Sequence, residues 1–178
     1  MDCNFKFALT PAVIAACPVK LADGTTLTAQ DFLPKRSTST DTGWDVRCAE
    51  LEGVSLCPFD YFKISLGFRV FAPEEWWLEV RPRSSTFAKE HIHALYGVCD
   101  NGYENTMMFA GQYINDAKTL ISANECKQIV FGQKIAQIIP VKLKTMSVQE
   151  VTNEEFDKLC GERQGSRATG GFGSSGKF

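Results

Sequence analysis

The segment Phe62-Lys63-Ile64-Ser65-Leu66-Gly67-Phe68-Arg69-Val70 constrains the fold most, because an apolar side chain recurs at every second position. Period two is the signature of an extended strand with one buried face, so a strand is expected over 62–70. Shorter pieces of similar character follow at 77–80, 92–98, 107–109, 119–121, 129–131 and 135–143. Turn formers stand between them, among them Pro58, Pro73-Glu74, Asn101-Gly102 and Phe131-Gly132. Many short strands without helical periodicity between them predict an all-β antiparallel fold, a sandwich or a barrel. Upstream, Asp23-Gly24 predicts a tight hairpin over 20–27. A single helix is expected, over 153–159, with Thr152 as its cap, Glu155 closing a capping box, and Phe156 and Leu159 facing the body.

The chain of 178 residues, 44% of them hydrophobic, is long enough to bury a substantial core and fits one β domain. That domain is expected over 1–160, with an extended N-terminal segment at 1–32. Beyond it, residues 161–178 hold six of the 14 glycines and almost no aliphatic side chains, the composition of an arm that orders only against something it binds. A formal net charge of -2 supplies no broad field for a nucleic-acid backbone, so direct nucleic-acid binding is not expected and any polyphosphate must be held locally. No apolar run approaches the roughly 20 residues needed to span a bilayer. The seven cysteines, at 3, 17, 48, 57, 99, 126 and 160, include no CxxC pair. That argues against a zinc knot and a secreted disulfide scaffold, and a reducing cytoplasm is the expected compartment. His91 and His93 alone make an incomplete metal site.

Five polar or glycine-rich segments stand out. They are Asp41-Thr42-Gly43-Trp44-Asp45, Arg81-Pro82-Arg83-Ser84-Ser85, Gly97-Val98-Cys99-Asp100-Asn101-Gly102-Tyr103, Gly132-Gln133-Lys134-Ile135-Ala136-Gln137, and the run from Arg167 to Gly176. Arg83 offers a rigid fork of donors, and Ser84 and Ser85 add hydroxyls suited to phosphate oxygens. Glycines 170, 171, 173 and 176 allow backbone N–H groups to approach an anion closely. Asp100 precedes Asn101-Gly102, the strongest short hairpin signal, and an Asx-type turn without chemistry explains it equally well. Tyr103 then fits either packing across strands or a ring laid against a sugar.

In this order and spacing, the five segments resemble the five motifs of the trimeric dUTP pyrophosphatase (dUTPase) family, from Leu33 to the C-terminus. The resemblance implies a jelly-roll-like β subunit, a homotrimer, and three active sites each assembled from several chains. It implies that dUTP is cleaved to dUMP and pyrophosphate by water attack at the α-phosphorus. Asp100 would orient and deprotonate that water. Asp45 would organise the water shell of an Mg2+ held by the substrate phosphates and not directly by the protein, a manner of binding that suits magnesium. Arg83, Ser84, Ser85 and Gln137 would hold phosphates, and the hairpin from Gly97 would receive uracil through its backbone. Tyr103 would exclude ribonucleotides. The arm would close with Phe172 over the base, Arg167 on the phosphate chain, and Gly173 and Ser174 beside the substrate.

The pattern departs from the family at Glu104-Asn105, where a basic or small residue and then glycine are usual, which bears on base preference. Trp44 stands where Tyr or Phe is commoner. The related dCTP deaminases are an alternative, but they carry a glutamate near the position of Ala110. A nucleotide-switched regulatory protein with an unknown protein partner is another.

Overall fold

The computed structural model describes residues 4–114 and 126–163. The chain divides into two compact units, residues 1–143 and 144–178.

In the first unit the described strands are β1 (Lys6–Leu9), β2 (Val19–Lys20), β3 (Thr26–Leu27), β4 (Trp44–Arg47), β5 (Val54–Leu56), β6 (Tyr61–Ser65) and β7 (Phe68–Phe71). They continue with β8 (Trp76–Pro82), β9 (Ile92–Ala94), β10 (Gly97–Cys99), β11 (Met108–Tyr113), β12 (Lys127–Ile129) and β13 (Lys134–Lys142). Short helices α1 (Pro11–Ala16) and α2 (Ser84–Ala88) interrupt them. Every described ladder is antiparallel. The largest sheet has the order β10-β8-β13-β4, and a second has the order β6-β11-β9. β1-β7, β12-β5 and β2-β3 form two-stranded pieces. The fold is the expected all-β, jelly-roll-like one, without a closed barrel.

The long alternating segment is two strands and not one. β6 pairs with β11 and β7 with β1, so the chain changes sheet at Leu66-Gly67. Gly67 has φ +79, and a Cβ there would lie 2.6 Å from Val13 Cγ2 and 2.8 Å from Ala49 Cβ, so only glycine fits the corner. The alternation runs through it unbroken because Phe62, Ile64, Leu66, Phe68 and Val70 all enter the same core. The expected strand over 92–98 likewise divides, β9 joining β11 and β10 joining β8. The segment 119–121 lies outside the described residues.

The 20–27 hairpin is present, with Gly24 at φ +87 and the Thr25 amide donating to Asp23 Oδ1 at 2.9 Å. Helices α1 and α2 were not expected, because five or six residues are too few to establish a helical period. In the second unit α3 (Asn153–Glu162) has the expected capping box: the Glu155 amide donates to Thr152 Oγ1 at 3.2 Å and the Thr152 amide to Glu155 Oε2 at 3.0 Å. Phe156 and Leu159 stand one turn apart on this helix of the second unit.

Replacing Gly67 by Ala is expected to destabilise the protein by more than about 1 kcal/mol, because the new methyl meets both an unfavourable φ and two packed side chains. Thermal unfolding checks this, and an unchanged midpoint would count against the corner's role.

Candidate active site

β13 lies between β4 and β8, and its register puts Asp45, Gln137 and Arg81 in one row across the sheet. Gln137 Nε2 donates to the Pro82 carbonyl at 2.9 Å, holding its amide at the end of β8. Gly43 is where that amide comes closest to the loop before β4: a Cβ at 43 would collide with the Gln137 side chain. Just past β8, Arg83 Nε donates to Asp45 Oδ1 at 2.8 Å, and Lys134 Nζ lies 3.0 Å from Asp45 Oδ2. The Asp45 side chain is only 15% exposed, so water screens these pairs less than it would on an open surface. The Arg83 terminal nitrogen Nη1 reaches Ser85 Oγ at 3.5 Å.

Above this row opens a cleft of about 340 Å³, lined by Thr42, Gly43, Asp45, Arg83, Ser84 and Gln137, among others. Within the Asp45-Arg83-Lys134 group one carboxylate faces two cations, a surplus positive charge that suits an anion, while Asp41, hydrogen-bonded to Thr38, adds a second carboxylate to the cleft wall. Arg47 adds to this field from below; burial lowers its pKa, while Asp31 and Asp45 act in the opposite direction.

Thr86 fixes Arg83 in place. It is 1% exposed, its hydroxyl donates to the Ile135 carbonyl at 2.7 Å, and it accepts from the Arg83 amide at 3.3 Å. This pins the start of α2 to β13. Thr86 was not expected to matter, and Lys134, although within the fourth segment, was given no role of its own. Thr86 sits in a helix too short to read from sequence. That Lys134 reaches Asp45 is not legible from alternation, because the β13–β4 register shifts between Lys134 and Ala136.

The second cluster is built on β10. Gly97 pairs with Val80, and a Cβ at 97 would come within 3.3 Å of Val80 Cβ. Asp100 is exposed and opens a turn closed by the Tyr103 amide donating to the Asp100 carbonyl at 3.0 Å. This turn is not the loop of a laddered hairpin, as the sequence suggests, because β10 pairs with β8 whereas β11 pairs with β6 and β9. Asn101 holds the turn instead: its side-chain amide donates to the carbonyls of Pro73 at 2.7 Å and Trp76 at 2.8 Å. Tyr103 packs on the main core with its hydroxyl donating to the Thr106 carbonyl at 3.0 Å. The departure at Glu104 is anchored too, Arg69 Nε donating to its carbonyl at 2.6 Å.

The two clusters do not meet within one chain. Cys99 pairs with Leu78, and the strands are antiparallel, so Asp100 lies level with Trp77 while Arg83 lies six residues further along β8. At the rise of a strand the two backbones are roughly 20 Å apart. Asp45, Arg83, Ser84, Ser85 and Gln137 therefore come together, and Gly97, Asp100 and Tyr103 stand apart. Arg167, Phe172, Gly173 and Ser174 lie outside the described residues.

Among the described residues no group of three or more His, Cys, Asp or Glu could hold a metal ion. Asp45 offers one hard oxygen donor whose two oxygens each meet a single cation, leaving lone pairs free toward the cleft. Such a donor set fits a hard divalent ion only if an anionic ligand brings most of the coordination and offsets Arg83 and Lys134.

No protein-family model matches the chain. It is 30% identical over 148 residues to the deoxyuridine 5'-triphosphate nucleotidohydrolase of Wolbachia sp. subsp. Drosophila simulans (strain wRi), a match that covers 82% of this chain and 87% of that protein. It is 28% identical over 149 residues to the enzyme of the same name from Hydrogenobaculum sp. (strain Y04AAS1), covering 81% and 90%. The dUTPase of Staphylococcus bacteriophage 80alpha, solved with dUPNHPP, has the same fold, with a TM-score of 0.68 at 24% identity over 97% of this chain and 98% of that one. A mutant dUTPase of phage phi11 of S. aureus, which coordinates a structural Mg(II) ion, matches with a TM-score of 0.60 at 21% identity, covering 83% and 96%.

If Asn101 holds the second cluster's turn, Asn101→Ala should cost about 0.5–1.5 kcal/mol of stability by removing its two exposed hydrogen bonds to the Pro73 and Trp76 carbonyls. Chemical denaturation checks this, and a midpoint equal to wild type would show the latch to be dispensable.

Proposed function

Because the chain belongs to the deoxyuridine 5'-triphosphate nucleotidohydrolase (dUTPase) family, we propose that it hydrolyses dUTP to dUMP and pyrophosphate, holding the phosphate chain in the Asp45–Arg83 cleft. The observation that carries this reading is the Asp45 carboxylate set between Arg83 and Lys134, in register with Gln137, on the floor of an open polar cleft.

Arg83 spends Nε on Asp45, which orients the guanidinium plane and leaves its outer nitrogens for phosphate oxygens. Ser84, Ser85 and Gln137 add neutral polar groups around them. Mg2+ would be held by the phosphates and by waters beside Asp45; when bound it neutralises charge on the phosphate chain. Preorganised cations of this kind usually supply the largest part of phosphoryl-transfer catalysis. Asp100, on an exposed and anchored turn, is placed to orient a water and accept its proton, a contribution typically of ~10²- to 10⁴-fold. The turn from Gly97 offers backbone groups to the base. Tyr103, its ring fixed by packing and by Thr106, is suited to lie against the deoxyribose and disfavour a 2'-hydroxyl.

Attack at the α-phosphorus needs Asp100 and Arg83 around one triphosphate. Their separation along β8 supports a site in which Asp100 comes from one chain and Arg83 from another, within a homotrimer. The segment bearing Arg167, Phe172, Gly173 and Ser174 would close over that shared site. The deaminase alternative is not favoured, since β11 carries no carboxylate between Met108 and Tyr113. A cytoplasmic nucleotide pool is the compartment this activity implies.

Asp100→Asn is expected to keep nucleotide affinity while lowering kcat by at least tenfold; pyrophosphate release measures the rate and calorimetry with a nonhydrolysable dUTP analogue the affinity. Retention of most of the turnover would remove Asp100 from the general-base role. Light scattering of the active protein should give three times the 19.7 kDa chain mass. Mixing and reassembling Asp100→Asn with Arg83→Ala, each inactive alone, should restore about a quarter of wild-type activity, because one site in four then pairs an intact Asp100 with an intact Arg83. No recovery in verified mixed trimers would place both residues in the same chain's site.

A further inference from the structure

The two-stranded piece formed by β5 and β12 carries a pair of cysteines that the proposed hydrolysis does not use. Its register pairs Ile129 with Val54, Gln128 with Ser55 and Lys127 with Leu56. Continued by one residue beyond the ladder's end, that register sets Cys126 opposite Cys57. Side chains alternate across such a ladder, so the Cys57–Cys126 pair shares a face with Ser55–Gln128. That is the outer face: Leu56, on the other side, is 2% exposed, whereas Ser55, Cys57 and Gln128 are exposed. Side chains demonstrably meet there, since Gln128 Nε2 donates to Ser55 Oγ at 2.7 Å.

The backbone holds Cys57 in this position. Its amide donates to Asp60 Oδ2 at 2.8 Å, and the Asp60 amide donates back to the Cys57 carbonyl at 3.0 Å. Both thiols are free, and a hydrogen bond with Cys126 is the leading cause that raises the Cys57 pKa, followed by lost hydration and the charges of Cys126 and Asp60. Directly opposed residues of an antiparallel ladder have Cα atoms about 4.5–5.5 Å apart, inside the range that a disulfide spans. Two of the other cysteines are withdrawn from this pairing by burial. Cys48 and Cys99 are buried in the core, and burial pushes both thiols up to about 11.

We propose that Cys57 and Cys126 form a reversible cross-strand disulfide when the protein meets a disulfide oxidant such as oxidised glutathione. The exposed Cys57 sulfur, as thiolate, attacks one glutathione sulfur and expels glutathione thiolate, leaving a mixed disulfide. Cys126, as thiolate, then attacks the Cys57 sulfur and expels the second glutathione. Two protein thiols lose two protons and two electrons, and one oxidised glutathione becomes two reduced ones. The bond closes a loop running from 57 to 126 that contains Arg83 and Asp100, so oxidation restrains the unfolded chain around the residues of both clusters.

The test treats the full-length protein with oxidised glutathione, blocks remaining thiols, digests without reduction and maps disulfides by mass spectrometry. The expected product is a peptide containing Cys57 linked to one containing Cys126, lost on reduction. It should outnumber glutathione adducts at Cys57 by roughly tenfold or more, because the ladder register sets the second thiol opposite the first. In Cys126→Ser the adduct at Cys57 should persist instead of resolving, and the oxidation-dependent rise in unfolding temperature seen in wild type should vanish. Independent glutathione adducts at Cys57 and Cys126 in wild type, without the linked peptide, would overturn the proposal. So would a linked peptide joining either cysteine mainly to another partner.

Discussion

The site depends on β13 being paired along both edges. Its nine residues run from Lys134 to Lys142, with β8 on one side and β4 on the other, and Ile135, Ala136 and Ile138 are buried in the core. A strand fixed by two ladders and a buried face has no freedom to slip, since a one-residue shift would turn every core side chain outward. The positions of Asp45, Gln137 and Arg83 follow from that register. Thr86 extends the same control past the end of β8, tying the start of α2 to the Ile135 carbonyl.

The cleft is an electrostatic device before it is a catalytic one. A lone carboxylate in contact with two cations has its own charge more than balanced, and what remains is attraction for an anion. Asp45 also restrains Arg83, whose side chain would otherwise give up considerable rotamer freedom on binding phosphate. Under the proposed function, preorganisation of this kind would let a chain with a formal net charge of -2 hold a polyphosphate. The positive field is local, confined to three side chains, and does not extend over the surface.

The sequence made the β class legible through alternation, and the segments that meet at the cleft through their polar and glycine-rich composition. Alternation in 62–70 reports a buried face whichever sheet each half joins, which is why the corner at Gly67 was invisible in it. A sheet change preserves side-chain phase when both halves line one core, and no residue count reveals it. The hairpin signal at Asn101-Gly102 misled for a related reason. Asn-Gly specifies a turn, but strand pairing is a tertiary choice, and here Asn101 spends its amide on the loop between β7 and β8. Lys134 was hidden by a register shift and Thr86 by a helix of only five residues. Each escaped because its role depends on a neighbour distant in sequence.

What most limits a single chain is strand direction. β10 runs against β8, so moving from Gly97 toward Asp100 means moving away from Arg83, and no side-chain rotamer recovers roughly 20 Å. Under the proposed function, the far end of β8 in one copy would meet the near end in another. Surface composition supports this reading. Val98 and Tyr96 beside the second cluster and Phe87 beside the first are 66%, 63% and 61% exposed, large apolar side chains that an isolated subunit leaves in water. Burying them between copies would draw together the two halves of the site by the hydrophobic effect. Catalytic competence and assembly would then be one equilibrium, with substitutions at either patch felt in both.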